Sequence, residues 1–205
     1  MAAMEHNVVI EHGKNPVPDP PRKVQTMAET AALDTTTPLT GERADLLAVL
    51  SKTRFFLRFT TRDLTDEQAA SSPTDSELCL GGLIKHVTGV ERGWVDFIVE
   101  GTGAMKDFDD MTAEDFAARD TEFRLLPDET LAGVLDAYAE VAARTDALVA
   151  TADLDRAWPL PKAPWFQEDS WSARQVLLHI IAETAQHAGH ADIIREAIDG
   201  AKTMG

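Results

Sequence analysis

The spacing of apolar residues along the chain predicts four long amphipathic helices and no sustained strand alternation. The first opens near Thr40, its expected cap, and ends near Thr61, with Leu46, Leu47, Leu50, Phe55, Phe56 and Phe59 at helical spacing. Leu64 to Gln68 reads as a short turn of helix capped by Thr65 and broken at Pro73. The second long helix covers Cys79 to Gly101, where Leu80, Leu83, Ile84, Val87, Val90, Trp94, Phe97 and Ile98 form a wide apolar face. A long connection follows, with one short helix from Thr112 to Asp120. The third long helix is expected from Pro127, whose fixed φ suits a first helical position, to about Ala152. The last runs from Ser172, which forms a capping pair with Gln175, to a closing Gly200. The predicted fold is all-α, a four-helix bundle, and sites in such bundles are built from side chains on facing helices.

Two segments depart from this pattern. Residues 1–38 lack a sustained period and carry four prolines within residues 15–21, which predicts an extended, flexible or surface-lying arm ahead of a bundle domain over 39–205. Trp158 to Phe166 holds three prolines and three aromatics and excludes a helix interior. It reads as a stiff cover over the end of the bundle, with a pocket wall as the alternative.

The final helix has a fault in its apolar face. Val176, Ile180, Glu183, His187, His190 and Ile194 share one stripe, aliphatic at both ends and polar in the middle. A carboxylate in an aliphatic position costs several kcal/mol or so unless it is paired or ligates something. Glu183 and His187 are four apart and His187 and His190 three apart, so their Cβ atoms lie about 5–6 Å from one another. His86 lies inside the apolar second helix, on the side that also carries Gly82, Gly89 and Gly93, which suggests close approach of a backbone or a ligand. His86, Glu183, His187 and His190 offer nitrogen and oxygen donors without a thiolate, a set that suits Zn²⁺, Ni²⁺, Fe²⁺ or Co²⁺. Three protein ligands would leave an open coordination position. The competing reading is a buried polar network in which Glu183 pairs with protonated His187 and no metal binds; spacing does not decide between them. His179 falls about 80° off that face and reads as a packing or hydrogen-bonding histidine. Cys79 reads as a small buried residue or a cap, and Asp192 with Arg195 as a surface pair. His6 and His12, in the arm, are not expected to be ligands.

Composition narrows the classes. A net charge of −16 without a basic patch excludes a nucleic-acid surface and docking on an anionic membrane. The single cysteine excludes an internal disulfide and a multi-cysteine zinc site, and fits a reducing, cytoplasmic setting. No apolar run reaches the roughly 18–20 residues of a membrane span.

Two motifs together carry a resemblance. Leu80-Gly-Gly-Leu-Ile-Lys-His86-Val-Thr-Gly-Val-Glu91-Arg-Gly-Trp94 resembles the second-helix signature of the DinB-like superfamily of metal-binding four-helix bundles. His179-Ile-Ile-Ala-Glu183-Thr-Ala-Gln-His187-Ala-Gly-His190 resembles the last-helix signature of one actinobacterial-type branch, often labelled a mini-circle protein or a domain of unknown function and related to mycothiol-dependent enzymes. The resemblance spans about residues 40–200 and implies a divalent metal, zinc or nickel foremost, held by His86, Glu183 and His187. Most members carry histidine where this chain has Glu183, and the mycothiol-dependent maleylpyruvate isomerases carry glutamate there. His190 stands where many members have glutamine, which implies a fourth ligand, a group behind the ligands, or a catalytic base. The activity implied is a transferase in which the metal activates a low-molecular-weight thiol such as mycothiol toward an electrophile. Metal-activated hydrolysis and a non-catalytic metal-binding bundle are the alternatives. Relatives of this kind are often homodimers.

Overall fold

The computed structural model describes residues 38–203; the predicted arm, apart from Pro38, lies outside the described residues, and so do His6 and His12. Six helices follow one another: α1 Glu42–Phe59, α2 Asp66–Ala70, α3 Leu80–Glu100, α4 Ala113–Glu122, α5 Leu131–Thr151 and α6 Ala173–Asp199. The four long ones, α1, α3, α5 and α6, are those the periodicity predicts, and they form the bundle. α6 packs along α1 and α3, and α3 packs along α5, while α1 and α5 meet more lightly. Among the described residues no helix is long and apolar enough to cross a membrane.

The caps explain most boundaries. Thr65 and Gln68 form a reciprocal capping box at α2, and Thr112 and Asp115 form another at α4. The Cys79 sulfur accepts from the Gly82 amide at 3.3 Å and caps α3. Ser172 accepts from the Gln175 amide, and Gly200 closes α6 in the left-handed region at φ 77°. Two starts differ from expectation. α1 is preceded by Gly41 rather than capped by Thr40. α5 begins at Leu131, not Pro127, because Thr130 accepts from the Gly133 amide while Glu129 is engaged with Lys85 and the Leu126 amide.

The Trp158–Phe166 segment belongs to a ribbon that the sequence pattern does not predict. β1 (Ala157–Pro159) pairs antiparallel with β2 (Ser170–Ser172), placing Trp158 opposite Trp171. Three-residue strands are too short for alternation to register. The Trp158 indole donates to the Ile98 carbonyl at 3.1 Å and lies over Gly101, where a Cβ would come within 2.8 Å of its ring.

The core has two parts. One gathers Leu50, Val95, Phe97, Val149 and Ile180; the other gathers Leu57, Val87, Tyr138, Ala191 and Ile194. Between these sets, in the order of each helix, stand Arg54, Glu91 and Thr145, all buried. Arg54 bonds Glu91 through Nε at 3.3 Å and Nη2 at 2.5 Å and reaches Asp146 at 2.7 Å, while the Thr145 hydroxyl donates to Glu91 at 2.5 Å. Burial alone would lower the Arg54 pKa, but the carboxylates of Glu91 and Asp146 reverse this and hold it raised. Arginines also close the helix ends. Arg195, expected in a surface pair with Asp192, is buried and donates to the Thr60 and Arg62 carbonyls at 2.6 and 2.7 Å, beyond the end of α1. Asp192 instead accepts from the Thr203 amide at 2.8 Å. Arg43 serves the C-terminal end of α5 in the same way, through the carbonyls of Val149 and Ala152.

Candidate metal centre

The polar section of α6 meets His86 of α3 where the two helices pack. One donor atom each from His86, Glu183 and His187 lies within 4.8 Å of the other two. The Glu183 carboxylate is 3.6 Å from His187 Nε2, and the His86 and His187 rings meet edge to face at 4.9 Å between centroids. Ligand atoms about 2 Å from a shared ion stand no more than about 4 Å apart, so side-chain adjustments of under about 1 Å would bring the three around one ion. Two imidazoles and a carboxylate are a donor set for a borderline divalent cation, and the residues fit the group that the sequence suggests.

Charge and burial favour the neutral imidazole that ligation requires. His187 is buried, and that burial, reinforced by the neighbouring His86, pushes its pKa below the ordinary imidazole range despite the pull of Glu183. That direction works against a protonated His187, although Glu183 stands within ion-pair reach of it at 3.6 Å.

His190 is not brought into the group of three. Its Nδ1 faces His187 Nδ1 at 3.4 Å, so it stands behind His187, on the side away from Glu183. His86 has a partner at its own Nδ1, the Glu122 carboxylate at 3.2 Å. Metal-binding histidines are commonly oriented by such contacts at the other ring nitrogen.

A cavity of about 670 Å³ opens beside the cluster, and His86 and Glu183 both line it. Its walls are mostly apolar: Val90 and Trp94 from α3, Met105, Phe108 and Met111 from the connection, and Trp165 and Phe166 from the loop between the strands. That loop is therefore a pocket wall as well as a cover. α4 supplies the opposite side through Asp115, Ala118, Arg119 and Glu122. His179 also lines the cavity, beside the stacked rings of Trp94 and Trp171 at 5.1 Å from each, with Nε2 3.9 Å from Glu183. Burial holds its pKa below the usual range, against the Glu183 charge. The 80° offset read from the sequence is real, but it turns His179 to the cavity instead of away from the site. A second groove of about 850 Å³, between α1 and α5, includes none of the three cluster residues.

The glycine side of α3 resolves into different cases. At Gly82 a Cβ would sit 1.9 Å from the Phe123 carbonyl oxygen, so a backbone approaches there. Gly89 faces open space and Gly93 has only the Met105 methyl at 4.0 Å.

A four-helix bundle of this kind is the architecture of the DinB-like proteins. A family model described as mycothiol-S-transferase matches residues 45–200, and the chain belongs to that family. The solved structure of a conserved protein from Enterococcus faecalis shares the fold, with a TM-score of 0.56 and 13% identity over 80% of this chain and 100% of that one. No curated protein matches the chain in sequence.

Proposed function

We propose that this protein is a divalent-metal-dependent S-transferase that joins the thiol of mycothiol, or a thiol of like chemistry, to a small electrophile. His86, Glu183 and His187 are the metal ligands in this reading, a set that serves Zn²⁺, Ni²⁺, Fe²⁺ or Co²⁺, with zinc or nickel favoured by the family resemblance. The observation that carries it is the position of His86 and Glu183, which belong both to the donor cluster and to the cavity wall. A divalent ion held by these three residues would supply the Lewis acidity that favours a thiolate over a thiol.

The chain's own groups supply the rest. The aromatic and thioether walls offer an apolar surface on which the carbon skeleton of an electrophile can pack beside the donors. His179 is the imidazole that faces the cavity without being one of the three donors, and it takes the thiol proton at Nε2. His190 is not on the cavity wall; it orients His187 from behind through the facing Nδ1 atoms.

The test is a paired assay. Zinc-loaded protein given mycothiol and a haloalkyl electrophile should consume both in equal amounts, and His187→Ala should lose metal and turnover together. Loss of electrophile without loss of thiol would instead indicate hydrolysis. Tight metal uptake with no turnover across a panel of thiols and electrophiles would leave a metal-binding bundle and overturn the transferase reading.

A further inference from the structure

The residue just before the C-cap of α4 touches the cluster from outside it. Glu122 ends the helix, and its Oε2 lies 3.2 Å from His86 Nδ1. With Nδ1 engaged there, only Nε2 of that ring is left for a metal. The approach is built into the backbone. Gly82, one turn before His86, admits the Phe123 carbonyl to a place that any Cβ would occupy. The Cys79 thiol donates to the same carbonyl at 3.6 Å. The Phe123 ring then stacks on His86, 4.0 Å between centroids and 25° between planes. Three contacts thus fix the end of α4 against the N-terminal half of α3, and the carboxylate arrives at the imidazole as a result.

Stability does not account for the contact. The Glu122 side chain is 42% exposed, and α4 contributes no buried residue to the core. Ion pairs so exposed contribute little to folding. A carboxylate accepting from the outer nitrogen of a ligating imidazole has a different effect: it fixes the tautomer and ring orientation and raises the basicity of the inner nitrogen. We propose that Glu122 is a positioning residue for His86, and that through it α4, the outer wall of the cavity, is coupled to metal occupancy. A metal held by His86 would make the Nδ1 proton a stronger donor, and Glu122 would then hold the ring and the end of α4 more tightly. Without metal the Phe123 contacts would still hold the end of α4, and only the Glu122 contact would be weaker.

The inference rests on the reading that His86, Glu183 and His187 hold a metal, and the experiment separates the two. Zinc affinity is measured by competition with a chromophoric chelator for the wild type, Glu122→Gln and Glu122→Ala, with Tm of each metal-free protein alongside. Hydrogen exchange of α4 is followed with and without zinc, and the Co²⁺-loaded proteins are compared by visible absorption. Glu122→Ala should bind zinc about 10–100-fold more weakly, with Tm unchanged, an altered cobalt spectrum, and no zinc-dependent protection of α4. Glu122→Gln, whose amide oxygen still accepts, should fall between. Wild-type affinity, spectrum and protection in both variants would overturn the role of Glu122 and leave the metal site standing. A wild-type protein that takes up no divalent metal would overturn both.

Discussion

At the scale of single residues, the three histidines of α6 do different things although they lie within twelve positions of one another. His187 is buried with its Nε2 toward Glu183, His190 stands at its back, and His179 looks into the cavity. Substitution should separate these roles. His187→Ala removes a proposed ligand, and native protein should lose its stoichiometric metal. His190→Ala removes only an orienting contact, so one metal per chain should remain, bound about 10-fold or more weakly. Metal analysis and a zinc titration distinguish the outcomes; equal loss in both variants would make His190 a ligand after all. His179→Gln should keep zinc affinity and lower kcat by about 10²–10⁴-fold, the usual contribution of a general base. A variant with full kcat would remove His179 from the proton path.

Helix periodicity places Glu183, His187 and His190 on one stripe, but it does not say how far each leans toward a neighbour. Thr184 and Ala191 share the stripe's buried centre with His187, while Glu183 and His190 lie along the same edge about 10 Å apart on the axis, and His86 meets the helix at the level of Glu183 and His187. This is why spacing alone groups four donors and the packed helices bring three together. Glu122 leaves no trace in the sequence at all. Its approach depends on where α4 crosses α3, which is tertiary geometry and not period.

At the scale of elements, α4 is the helix least anchored by burial and most by its ends. At its N-terminus Asp115 accepts from the Thr112 amide at 2.8 Å and pairs with Lys106 at 2.7 Å. Lys106 and then Thr112 lower its pKa from 3.8 to about 2. Because the folded value lies below the unfolded one, the cap's contribution is fully present above 3.8 and is lost as pH falls through about 2. At about pH 3, Asp115 should therefore stay mostly ionised, as read by its side-chain NMR shift. Lys106→Met should move the titration upward and speed amide exchange in the first turn of α4. A titration near the ordinary aspartate value in both proteins would mean the cap does not hold this helix in solution.

The long helices and the short capped ones were legible from the sequence because their signals are local: apolar spacing, Thr65 with Gln68, Ser172 with Gln175, and Gly200. The β1–β2 ribbon was not, since its stability comes from Trp158 lying over Gly101 and bonding α3, far away in the chain. Pro127 misled for a related reason. It satisfies the rule for a helix start, but Glu129 is claimed by Lys85 of α3, and the helix begins only after Thr130.

At the scale of the whole molecule, the feature that the sequence reading passed over is the polar layer across the bundle. It shows the same signal that exposed the α6 site: a charge where an aliphatic belongs. Arg54 interrupts Leu50 and Leu57 on α1, and Glu91 interrupts Val87 and Trp94 on α3. Here the two faults face each other and satisfy each other, with Thr145 and Asp146 of α5 completing the set. Removing one partner strands a buried charge. Glu91→Leu or Arg54→Met alone should cost on the order of 3–5 kcal/mol in urea unfolding. Glu91→Leu should stand toward the lower end, because Arg54 keeps Asp146 at 2.7 Å. The double variant Arg54→Met/Glu91→Leu should recover most of that loss. Two apolar side chains of similar size join the two halves of the core, Asp146 is about half exposed and can turn to water, and the Thr145 hydroxyl, freed of Glu91, can donate to the Val141 carbonyl 3.0 Å away. Additive losses in the double variant would show instead that the ion pair is a net source of stability. Recovery would leave register as its remaining purpose: a charge on α1 that finds its match at one level of α3, with Asp146 of α5 beside it, permits one sliding position of these three helices.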